Sequence, residues 1–397
     1  MFLHTLLQEA HLNYNLLRTP INMKVLIVGT GLSGCALARF LKDKGHDVSM
    51  IEKENQIGGL CITKVNEDGL KYEPFGARTF HTSNVAISEF VQRFDQFNGY
   101  IHKKGMIINK KLYPFPLTLN SIKGFKKRNL ILEELKYRPV EIDQTNFETA
   151  CQSIFGKTLY GYFIGNYSKK MWGVEPKLLT AEWAPKRLEL REDDNEELFR
   201  NQWQGLPIHG YTFFLEQMIK DVPVRLNETQ YDSNKFDVVA TCAPLDEMLN
   251  YKYGKLGYRS IHFDYKKDEP WEKMEYGTLN LPQHKKYFRK CNFNVLYKHN
   301  ARNNYIQYQQ AVEADGLKNP AMYPVNTRQH NEIFDKYLKT VCRSKNICPL
   351  GRLGLFKYLD MDKAIECAFD IVPLIENYAR LSETERYLQI KAIREKR

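Results

Sequence analysis

The chain has 397 residues, of which 43% are hydrophobic and 26% charged, so it is long enough for two or three domains and is not a largely disordered protein. Its formal net charge of +11 favours an anionic partner such as a nucleotide, although a solvated basic surface explains the charge equally well. The chain has no CxxC pair among its scattered cysteines, no run near eighteen apolar residues and no nucleic-acid-binding motif, which predicts a cytoplasmic protein with no metal site, no membrane span and no nucleic acid partner.

The first strong structural signal along the chain begins at Met23. Residues 1–22 contain neither a basic leader region nor a long apolar segment, so we predict a disordered extension rather than a secretory signal. An apolar run at residues 25–28 then predicts a buried parallel strand. Apolar residues at helical spacing up to Gly45, followed by a second strand that ends at Ile51, complete a strand–helix–strand unit.

A glycine-rich turn joins the first strand of this unit to its helix. Gly29 allows the tight turn, Gly31 allows a pyrophosphate to approach the backbone, and Gly34 allows close packing of helix on strand. The helix N-terminus offers free N–H groups to phosphates, and Glu52 can accept hydrogen bonds from ribose hydroxyls. The unit predicts a dinucleotide site, the alternative being an ordinary turn in a doubly wound sheet. Further predicted contacts are Leu32, Ser33 and Lys53.

A second glycine pair, Gly58 and Gly59, follows shortly after the acidic residue. It brings another backbone segment against the diphosphate, and this arrangement is typical of FAD enzymes rather than of NAD dehydrogenases. The pair therefore predicts FAD as the cofactor. A helix is expected next, at residues 85–94.

The later elements interrupt the cofactor domain twice. Residues 100–120 predict a hairpin with turn signals at Gly105 and at residues 109–111, and residues 121–183 are mostly helical, with one helix ending at Gly156. Residues 184–205 predict an exposed loop and a short helix. Strands at 222–226 and 238–241 rejoin the first sheet, residues 258–308 alternate as in an antiparallel sheet, and helices are expected at 333–342 and 364–378.

The predicted fold class is therefore α/β, with three structural parts. Residues 23–99, 206–257 and 345–382 form a discontinuous, Rossmann-like FAD-binding domain. Residues 121–205 form an inserted helical-bundle domain that carries the substrate site, and residues 100–120 and 258–344 form an antiparallel β-sheet domain. Residues 383–397 form a charged helical tail that we expect to be solvated.

Several sequence segments resemble one family closely. The segments are GTGLSG, FGKTLYGYFIGNYSKKMWG, QGLPIHGYT, YGKLGYRS and GRLGLFKYLDMD. They resemble UDP-galactopyranose mutases, flavoenzymes that interconvert six- and five-membered ring forms of nucleotide-linked galactose. The resemblance extends from Met23 to about Tyr378, and its last segment is highly specific, because a general FAD oxidase has no need of it.

Three aromatic residues, Phe163, Tyr167 and Trp172, are spaced so that their rings gather around the end of a helix. Such rings suit a stacked pyrimidine base, but the residues alone favour an ordinary aromatic core cluster. The resemblance implies that they form the uridine pocket.

The resemblance also implies a set of residues around the diphosphate and the flavin. Without it, Arg187 and Arg289 would be assigned to solvated faces, and Tyr323 and Tyr358 to half-buried packing positions. By resemblance, the two arginines grip the substrate diphosphate and the two tyrosine hydroxyls complete the clamp. The remaining implied contacts are Arg352 on the flavin, Asp360 beside the active site, and Met361 at a helix start that faces the flavin ring.

Two positions depart from the family pattern. Arg78 stands where the family has a histidine near the flavin and the sugar, and Leu198 stands where a diphosphate-binding tyrosine is usual. Both changes concern the substrate side. We therefore predict a sugar other than plain galactose, or in addition to it, such as N-acetylgalactosamine on UDP or a deoxysugar on dTDP.

The resemblance implies a ring contraction without net oxidation, in which N5 of reduced flavin attacks the anomeric carbon and displaces the nucleotide diphosphate. No side-chain base is needed. The expected partners are a nucleotide sugar, a reductant such as NAD(P)H or a flavin reductase, and a second copy of the chain in a homodimer. The alternatives are an ordinary FAD oxidoreductase of the same fold, a non-catalytic protein that binds UDP-sugar or flavin, and a basic nucleic-acid binder.

Overall fold

The computed structural model of the protein describes residues 22–181, 188–300, 303–316 and 318–396. The predicted extension at residues 1–22 lies outside the described residues, apart from Asn22. In chain order the strands are β1 Lys24–Val28, β2 Asp47–Ile51, β3 Lys64–Val65, β4 Lys71–Tyr72, β5 Phe80–Thr82, β6 Lys104–Ile108, β7 Lys111–Phe115, β8 Leu117–Thr118, β9 Leu190–Arg191, β10 Trp203–Gly205, β11 Val224–Arg225, β12 Val238–Thr241, β13 Tyr258–Lys267, β14 Thr278–Asn280, β15 Arg289–Asn292, β16 Tyr305–Glu313, β17 Tyr323–Pro324 and β18 Ile347–Pro349.

The helices vary in length from one turn to almost five turns. In chain order they are α1 Leu32–Asp43, α2 Val85–Gln92, α3 Arg128–Lys136, α4 Phe147–Leu159, α5 Gly165–Trp172, α6 Tyr211–Met218, α7 Leu245–Met248, α8 Phe293–Leu296, α9 Arg328–Val341, α10 Gly351–Gly354, α11 Met361–Asn377 and α12 Glu383–Glu395. Within the described ranges, no helix combines the length and the apolar character that a membrane crossing requires.

A parallel sheet with the strand order β11–β2–β1–β12–β18 forms one half of the molecule. Strand β1 is apolar on both faces, as expected for a strand that is covered from both sides. Val25 and Ile27 pack into the main core, whereas Leu26 packs on the opposite face with Ile51 and Val239. Helices α1 and α11 pack against each other on the main-core face. This sheet confirms the predicted α/β fold class with a Rossmann-like unit.

A second sheet, in the order β17–β13–β16–β15–β14–β6–β7, forms the other half. Its neighbouring strands are antiparallel except for β14 and β6, which are parallel. The predicted hairpin is present as β6 and β7. The predicted turn at Gly105 is wrong, because this residue lies inside β6. A Cβ atom there would come within 2.7 Å of Leu279 and 2.9 Å of Leu112, so the glycine serves side-chain packing rather than a turn.

The helical segment consists of α3, α4, a π-helical turn at Tyr160–Ile164 and α5. Gly156 was predicted to end a helix, and the helical conformation does end there. Its φ of +72° and ψ of 167° are not helical, so α4 consists of two helical parts joined across a kink at this residue, and only glycine adopts such a conformation readily. Phe147 and Phe155, in the part before the kink, are fully buried in the core of this segment.

The charged stretch before α6 was predicted to contain an exposed loop and a short helix. The described part, residues 188–205, is extended rather than helical: β9 pairs with β8 and β10 pairs with β5. Its Arg191 is buried and donates hydrogen bonds to the Glu189 carboxylate and to the carbonyl oxygens of Asn195 and Glu197. Burial of this charge is tolerated because its donors are paired.

The C-terminal tail was predicted to be a charged helix in solvent. It is helical, as α12, and most of its residues are exposed, but one side packs against α11 and buries Arg386 and Ile390. The Arg386 guanidinium donates to the carbonyl oxygens of Cys342 at 2.9 Å and Leu381 at 2.5 Å. A residue that was counted as part of a charged surface thus satisfies backbone groups at the ends of neighbouring helices.

The predicted domain boundaries remain a prediction. The two sheets and the helical segment nevertheless occupy separate cores, one around the parallel sheet and one around the helical segment and the adjoining face of the second sheet. The site described below lies at the second of these cores and beside α11.

Candidate active site

The glycine-rich turn has the geometry that the sequence predicts. Gly29 has a φ of +102° and its N–H donates to the Ile51 carbonyl at 2.8 Å. A Cβ atom on Gly34 would lie 2.1 Å from the Gly29 carbonyl oxygen, so the close contact between α1 and β1 requires glycine. Gly31 differs, since a Cβ atom there would meet nothing within 4 Å. Packing therefore explains Gly34, whereas the open space at Gly31 fits a ligand that approaches the backbone.

The second glycine pair lies directly against this turn. Gly58 forms a parallel bridge with Gly31, and its N–H donates to the Thr30 carbonyl at 3.1 Å. A Cβ atom on Gly59 would lie 3.4 Å from the Gly31 Cα. The two glycine segments thus form one backbone surface.

The acidic residue at the end of β2 is buried beside the turn. Glu52 Oε2 accepts hydrogen bonds from the Thr30 N–H at 2.9 Å and from the Thr30 hydroxyl at 2.7 Å, and Oε1 accepts from the Glu54 N–H at 3.1 Å. The carboxylate is therefore held at the carboxyl end of the parallel sheet, where ligands of such sheets bind. Lys53 follows it on the exposed surface.

A third backbone segment reaches the same turn from near the C-terminus. Gly351, at the start of α10, has a φ of +76°, and a Cβ atom there would come 3.2 Å from the Ser33 Cβ. Arg352 follows it and donates to the Leu359 carbonyl at 2.6 Å. Helix α11 then begins at Met361 with Asp360 as its N-cap residue, three residues earlier than predicted. Leu32, which opens α1, is buried next to these elements.

A cavity of about 740 Å³ lies between the second sheet, the helical segment and the N-terminus of α11. It collects almost all the described residues that the sequence predicts on the substrate side, together with the two predicted flavin contacts nearest to the substrate. They are Arg78, Phe163, Tyr167, Trp172, Leu198, Arg289, Tyr323, Arg352, Tyr358, Asp360 and Met361. These residues come from distant parts of the chain, so only folding brings them together.

The predicted diphosphate contact Arg289 is held in place by two neighbouring side chains. Arg289, on β15, donates to the Tyr167 hydroxyl at 2.8 Å and to the Asn280 side-chain oxygen at 3.4 Å. Burial raises the pKa of Tyr167, while the neighbouring Arg289 charge acts in the opposite direction. The guanidinium is thereby oriented at the cavity wall before any ligand binds.

Two tyrosines and an arginine form a second ordered group. The rings of Tyr323 and Tyr358 are nearly parallel, with their centroids 5.9 Å apart. The Cζ atom of Arg352 lies 5.3 Å from the first centroid and 4.9 Å from the second, which is within the range of cation–π attraction. Trp172 meets the Tyr323 ring edge-on at 6.5 Å.

The three predicted base-stacking residues share the cavity but not one ring cluster. Phe163 is buried in the π-helical turn and packs edge-on against Phe155 and Phe115. The ring of Tyr167, on α5, packs edge-on against the ring of Phe288. Their arrangement as a base pocket stays a prediction.

Arg78 lines the cavity with its guanidinium held by its own loop. Nη1 donates to the Gly76 carbonyl at 2.7 Å and Nη2 to the Phe75 carbonyl at 2.9 Å. The Arg78 N–H donates to the carboxyl group of Glu73, which also accepts from the Tyr297 hydroxyl at 2.8 Å. Burial raises the pKa of Glu73 to about 8, against the opposing effect of the Arg78 charge.

Comparison with known proteins agrees with this arrangement. A family model described as UDP-galactopyranose mutase matches residues 162–358, and one described as an NAD(P)-binding Rossmann-like domain matches residues 27–94. The chain is 29% identical to a dTDP-fucopyranose mutase of Escherichia coli, over 87% of this chain and 97% of that protein. It is 28% identical to a UDP-galactopyranose mutase of Mycoplasma pneumoniae, over 86% and 93% respectively.

Residues 162–358 form a UDP-galactopyranose mutase domain. The chain is an enzyme of the isomerase class. A crystal structure of a reduced UDP-galactopyranose mutase has the same fold, with a TM-score of 0.74 and 16% identity, over 92% of this chain and 99% of that one.

Two of the positions predicted from the family pattern contribute no described polar contact to the cavity. Arg187 falls outside the described residues. Leu198 lines the cavity with an apolar side chain, and its N–H donates to the His102 carbonyl at 2.7 Å. The segment around Leu198 is thus anchored by its backbone to the residues that precede β6, without the tyrosine hydroxyl that the family pattern predicts there.

Four polar side chains that line the same cavity were not predicted from the sequence. Thr79, His102, Lys104 and Thr278 line the cavity. His102 Nδ1 lies 2.7 Å from the Thr79 hydroxyl and Nε2 lies 3.0 Å from the Thr278 hydroxyl. No local pattern marks these residues. The alternation along β6, in which residues 102, 104 and 106 share one face, would have identified the face but not what it lines.

Proposed function

We propose that this protein is a flavin-dependent mutase that interconverts the pyranose and furanose forms of a nucleotide-linked hexose. The observation that carries the proposal is the single cavity in which aromatic rings, two oriented arginines and two tyrosines meet the N-terminus of α11. A nucleotide sugar has an aromatic base, a diphosphate and a sugar, and the cavity offers a suitable group for each part. The names of the relatives support the same reaction type.

The cofactor that fits the first half of the molecule is FAD. Gly29, Gly31 and Gly34 with Gly58 and Gly59 form a continuous backbone surface, and Gly31 leaves open space where a diphosphate can approach. We assign Glu52 to the ribose hydroxyls, and Arg352 and Met361 to the ring system beside the cavity. When bound and reduced, the flavin supplies the nucleophile for the anomeric carbon of the sugar.

The protein's own contribution to the reaction is the stabilisation and positioning of the leaving group. The nucleotide diphosphate gains negative charge as its bond to the sugar breaks, so fixed cations are worth most at that moment. Arg289 is half-buried against Phe288 and Tyr167, and Tyr323 and Tyr358 add hydroxyl donors. We propose the same role for Arg187, from its position in the family pattern. We propose that the reaction needs no side chain to transfer a proton at the anomeric carbon.

The sugar end of the cavity supports a substrate other than plain galactose. Arg78 presents a guanidinium that is held at two carbonyls, so its remaining N–H groups have a fixed position. Such a group can donate to an N-acetyl oxygen or to a sugar hydroxyl. The candidates are UDP-galactose, UDP-N-acetylgalactosamine and dTDP-fucose, and the product would supply furanose units for a surface polysaccharide.

The expected surroundings of the enzyme follow from its chemistry. The flavin must be reduced before turnover, so a reductant such as NAD(P)H or a flavin reductase is required. All eight cysteines are free and most are buried, which supports a reducing cytoplasm. We propose a homodimer, as in the family.

The test is a mutase assay on the FAD-loaded enzyme with each of the three candidate substrates, before and after reduction of the flavin by dithionite. We expect conversion to the furanose form only with reduced flavin, measured by ring-size analysis of the products. An oxidoreductase would instead consume an oxidant in proportion to product. A non-catalytic binding protein would bind UDP and isomerise none of the sugars.

A further inference from the structure

One lysine of α5 is bound by the loop that joins β14 to β15. Lys170 is half-buried, and its ammonium group donates to three main-chain carbonyl oxygens of that loop. They belong to Leu281 at 2.8 Å, His284 at 2.6 Å and Tyr287 at 3.1 Å. Because an ammonium group has three N–H donors, the loop satisfies all of them. Burial lowers the pKa of this lysine to about 8, so the charged form predominates at pH 7.

The loop that Lys170 holds connects two residues of the cavity wall. Strand β14 ends at Asn280 and β15 begins at Arg289, and these two residues are directly paired. Both line the cavity, as does Pro282 in the loop itself. The loop therefore forms part of the cavity edge, and its position affects where Arg289 lies.

The same helix meets Arg289 directly through a second side chain. Tyr167 lies three residues before Lys170 on α5, so the two side chains are neighbours on one face of the helix. The Tyr167 hydroxyl accepts a hydrogen bond from Arg289 at 2.8 Å. Helix α5 thus contacts this hairpin at two points, the loop and the first residue of β15.

The C-terminal end of α5 is fixed to the second sheet by another cation. Arg259, on β13, donates to the carbonyl oxygens of Met171 at 3.0 Å and Lys170 at 3.4 Å, which satisfies main-chain groups at the end of the helix. A Cβ atom on Gly173, the C-cap residue, would lie 2.7 Å from Nη1 of Arg259. The helix is therefore anchored independently of the hairpin that Lys170 and Tyr167 hold.

This arrangement matters for a ligand whose two ends are bound by different elements. Helix α5 carries Tyr167 and Trp172, which we assign to the base, and the hairpin carries Arg289, which we assign to the diphosphate. A guanidinium that is already ordered loses less conformational freedom on binding, so the ligand binds more tightly. A loop that moves away from α5 would change the separation of the two subsites.

Resting on the proposed function, we infer that Lys170 is a positioning residue for the substrate diphosphate. It is not one of the residues that line the cavity, so it acts through Arg289, by keeping the β14–β15 loop on α5. Uridine has no phosphate and needs no such alignment. Loss of Lys170 should therefore weaken the binding of UDP and leave the binding of uridine unchanged.

The experiment measures dissociation constants of UDP and of uridine for the FAD-loaded enzyme at pH 7, with the flavin oxidised so that no turnover occurs. In Lys170→Met, which removes the donors but keeps an unbranched side chain, we expect UDP to bind about three- to tenfold more weakly and uridine to bind as before. Flavin content should be unchanged. Lys169→Met is the control, because Lys169 is exposed and pairs with Glu175, and it should bind both ligands as the unchanged protein does.

A double-mutant cycle separates positioning from a general loss of structure. In the Arg289→Met background, Lys170→Met should weaken UDP binding by less than about twofold further. Lys170→Gln keeps a donor group and takes the same measurements if Lys170→Met does not fold, with a smaller loss for UDP and again none for uridine.

Three outcomes overturn the inference alone. They are equal weakening of UDP and uridine, independent effects of the two substitutions in the cycle, and an unchanged affinity for UDP in Lys170→Met. Failure of UDP to bind the unchanged protein overturns the proposed function as well.

Discussion

The two halves of the molecule form binding surfaces by different means. The parallel-sheet half offers backbone: Gly29, Gly31 and Gly58 bring main-chain atoms together, and side chains are mostly absent from the surface. The second half offers side chains, such as Arg289 on β15 and Tyr167 on α5, which meet across 122 positions of sequence. A backbone surface suits a diphosphate, whose shape does not vary. A side-chain surface suits a sugar that varies, because side chains can change without altering the fold.

The comparison also explains where the departures from the family pattern occur. Arg78 and Leu198 both belong to the side-chain surface of the cavity. Gly34 and Gly58, in contrast, have packing distances that forbid a larger residue, whereas Gly31 leaves open space that the proposed cofactor would use. We therefore expect substitutions in the first half to affect folding or cofactor binding, and substitutions in the second half to affect substrate.

The largest effect is expected within the glycine turn. In Gly34→Ala the added Cβ would lie 2.1 Å from the Gly29 carbonyl oxygen, so α1 must shift and the free energy of unfolding should fall by about 3 kcal/mol or more. Gly31→Ala has open space, and the apoprotein should keep its stability to within about 1 kcal/mol. It should nevertheless lose flavin, because the methyl group occupies the cofactor's space. Thermal melting of the apoproteins and flavin absorbance of the loaded ones measure both effects.

The flavin content of Gly31→Ala tests whether the first half of the molecule binds the cofactor. If Gly31→Ala retains flavin as well as the unchanged protein does, the open space at this glycine is not the cofactor's, and the assignment of the first half as the FAD site fails.

A smaller effect, restricted to substrate, is expected for Arg289→Met. Loss of a charge-assisted contact should weaken binding of UDP by about ten- to a hundredfold, with a comparable or larger fall in turnover and no change in bound flavin. Arg328→Met is the control, since that arginine is 93% exposed on α9. Titration of each FAD-loaded variant with UDP distinguishes them. A lower flavin content in Arg289→Met would contradict the prediction that the second half acts on the substrate alone.

The smallest effect concerns Glu73, which joins the two halves through Arg78 and Tyr297. Its pKa in the folded protein is raised to about 8 by burial, whereas an unfolded chain has the ordinary lower value. Between these two values the folded protein holds the proton more tightly, so the associated stability is present at low pH and is lost as pH rises towards 8. Glu73→Gln removes this dependence.

The measurement compares the free energy of unfolding of both proteins at several pH values. From pH 6.5 to 7.5 we expect the unchanged protein to lose about 1 kcal/mol relative to Glu73→Gln. Parallel curves would mean that the Glu73 carboxyl ionises at an ordinary pH and that its neighbours, rather than its burial, control its charge.

Much of the parallel half could be predicted from sequence because its signals are local. The apolar run of β1, the spacing of Gly29, Gly31 and Gly34, and Glu52 after β2 lie within thirty residues, and the physical requirement at each position can be stated without knowledge of the rest of the chain. The main local error there was α12. Its charged sequence suggested solvent, but Arg386 is buried because three backbone carbonyls accept its hydrogen bonds.

The second half was predicted less well because its contacts are distant in sequence. Gly105 resembles a turn residue until its neighbours Leu279 and Leu112 are known. The Thr79–His102–Thr278 group spans almost two hundred residues and leaves no pattern at any one of its members. The parallel pairing of β14 with β6 was likewise not predicted, because the alternating sequence pattern suggested an antiparallel sheet.

The sequence by itself determined the dinucleotide turn, the second glycine segment beside it and, through its motifs, the likeness to UDP-galactopyranose mutases. These depend on backbone conformation and short-range spacing, which each residue type restricts directly. Only the tertiary structure decided which side chains face the sugar. That choice depends on strand register and on the order of strands in the second sheet, and a displacement of one residue would turn Lys104 and Thr278 away from the cavity.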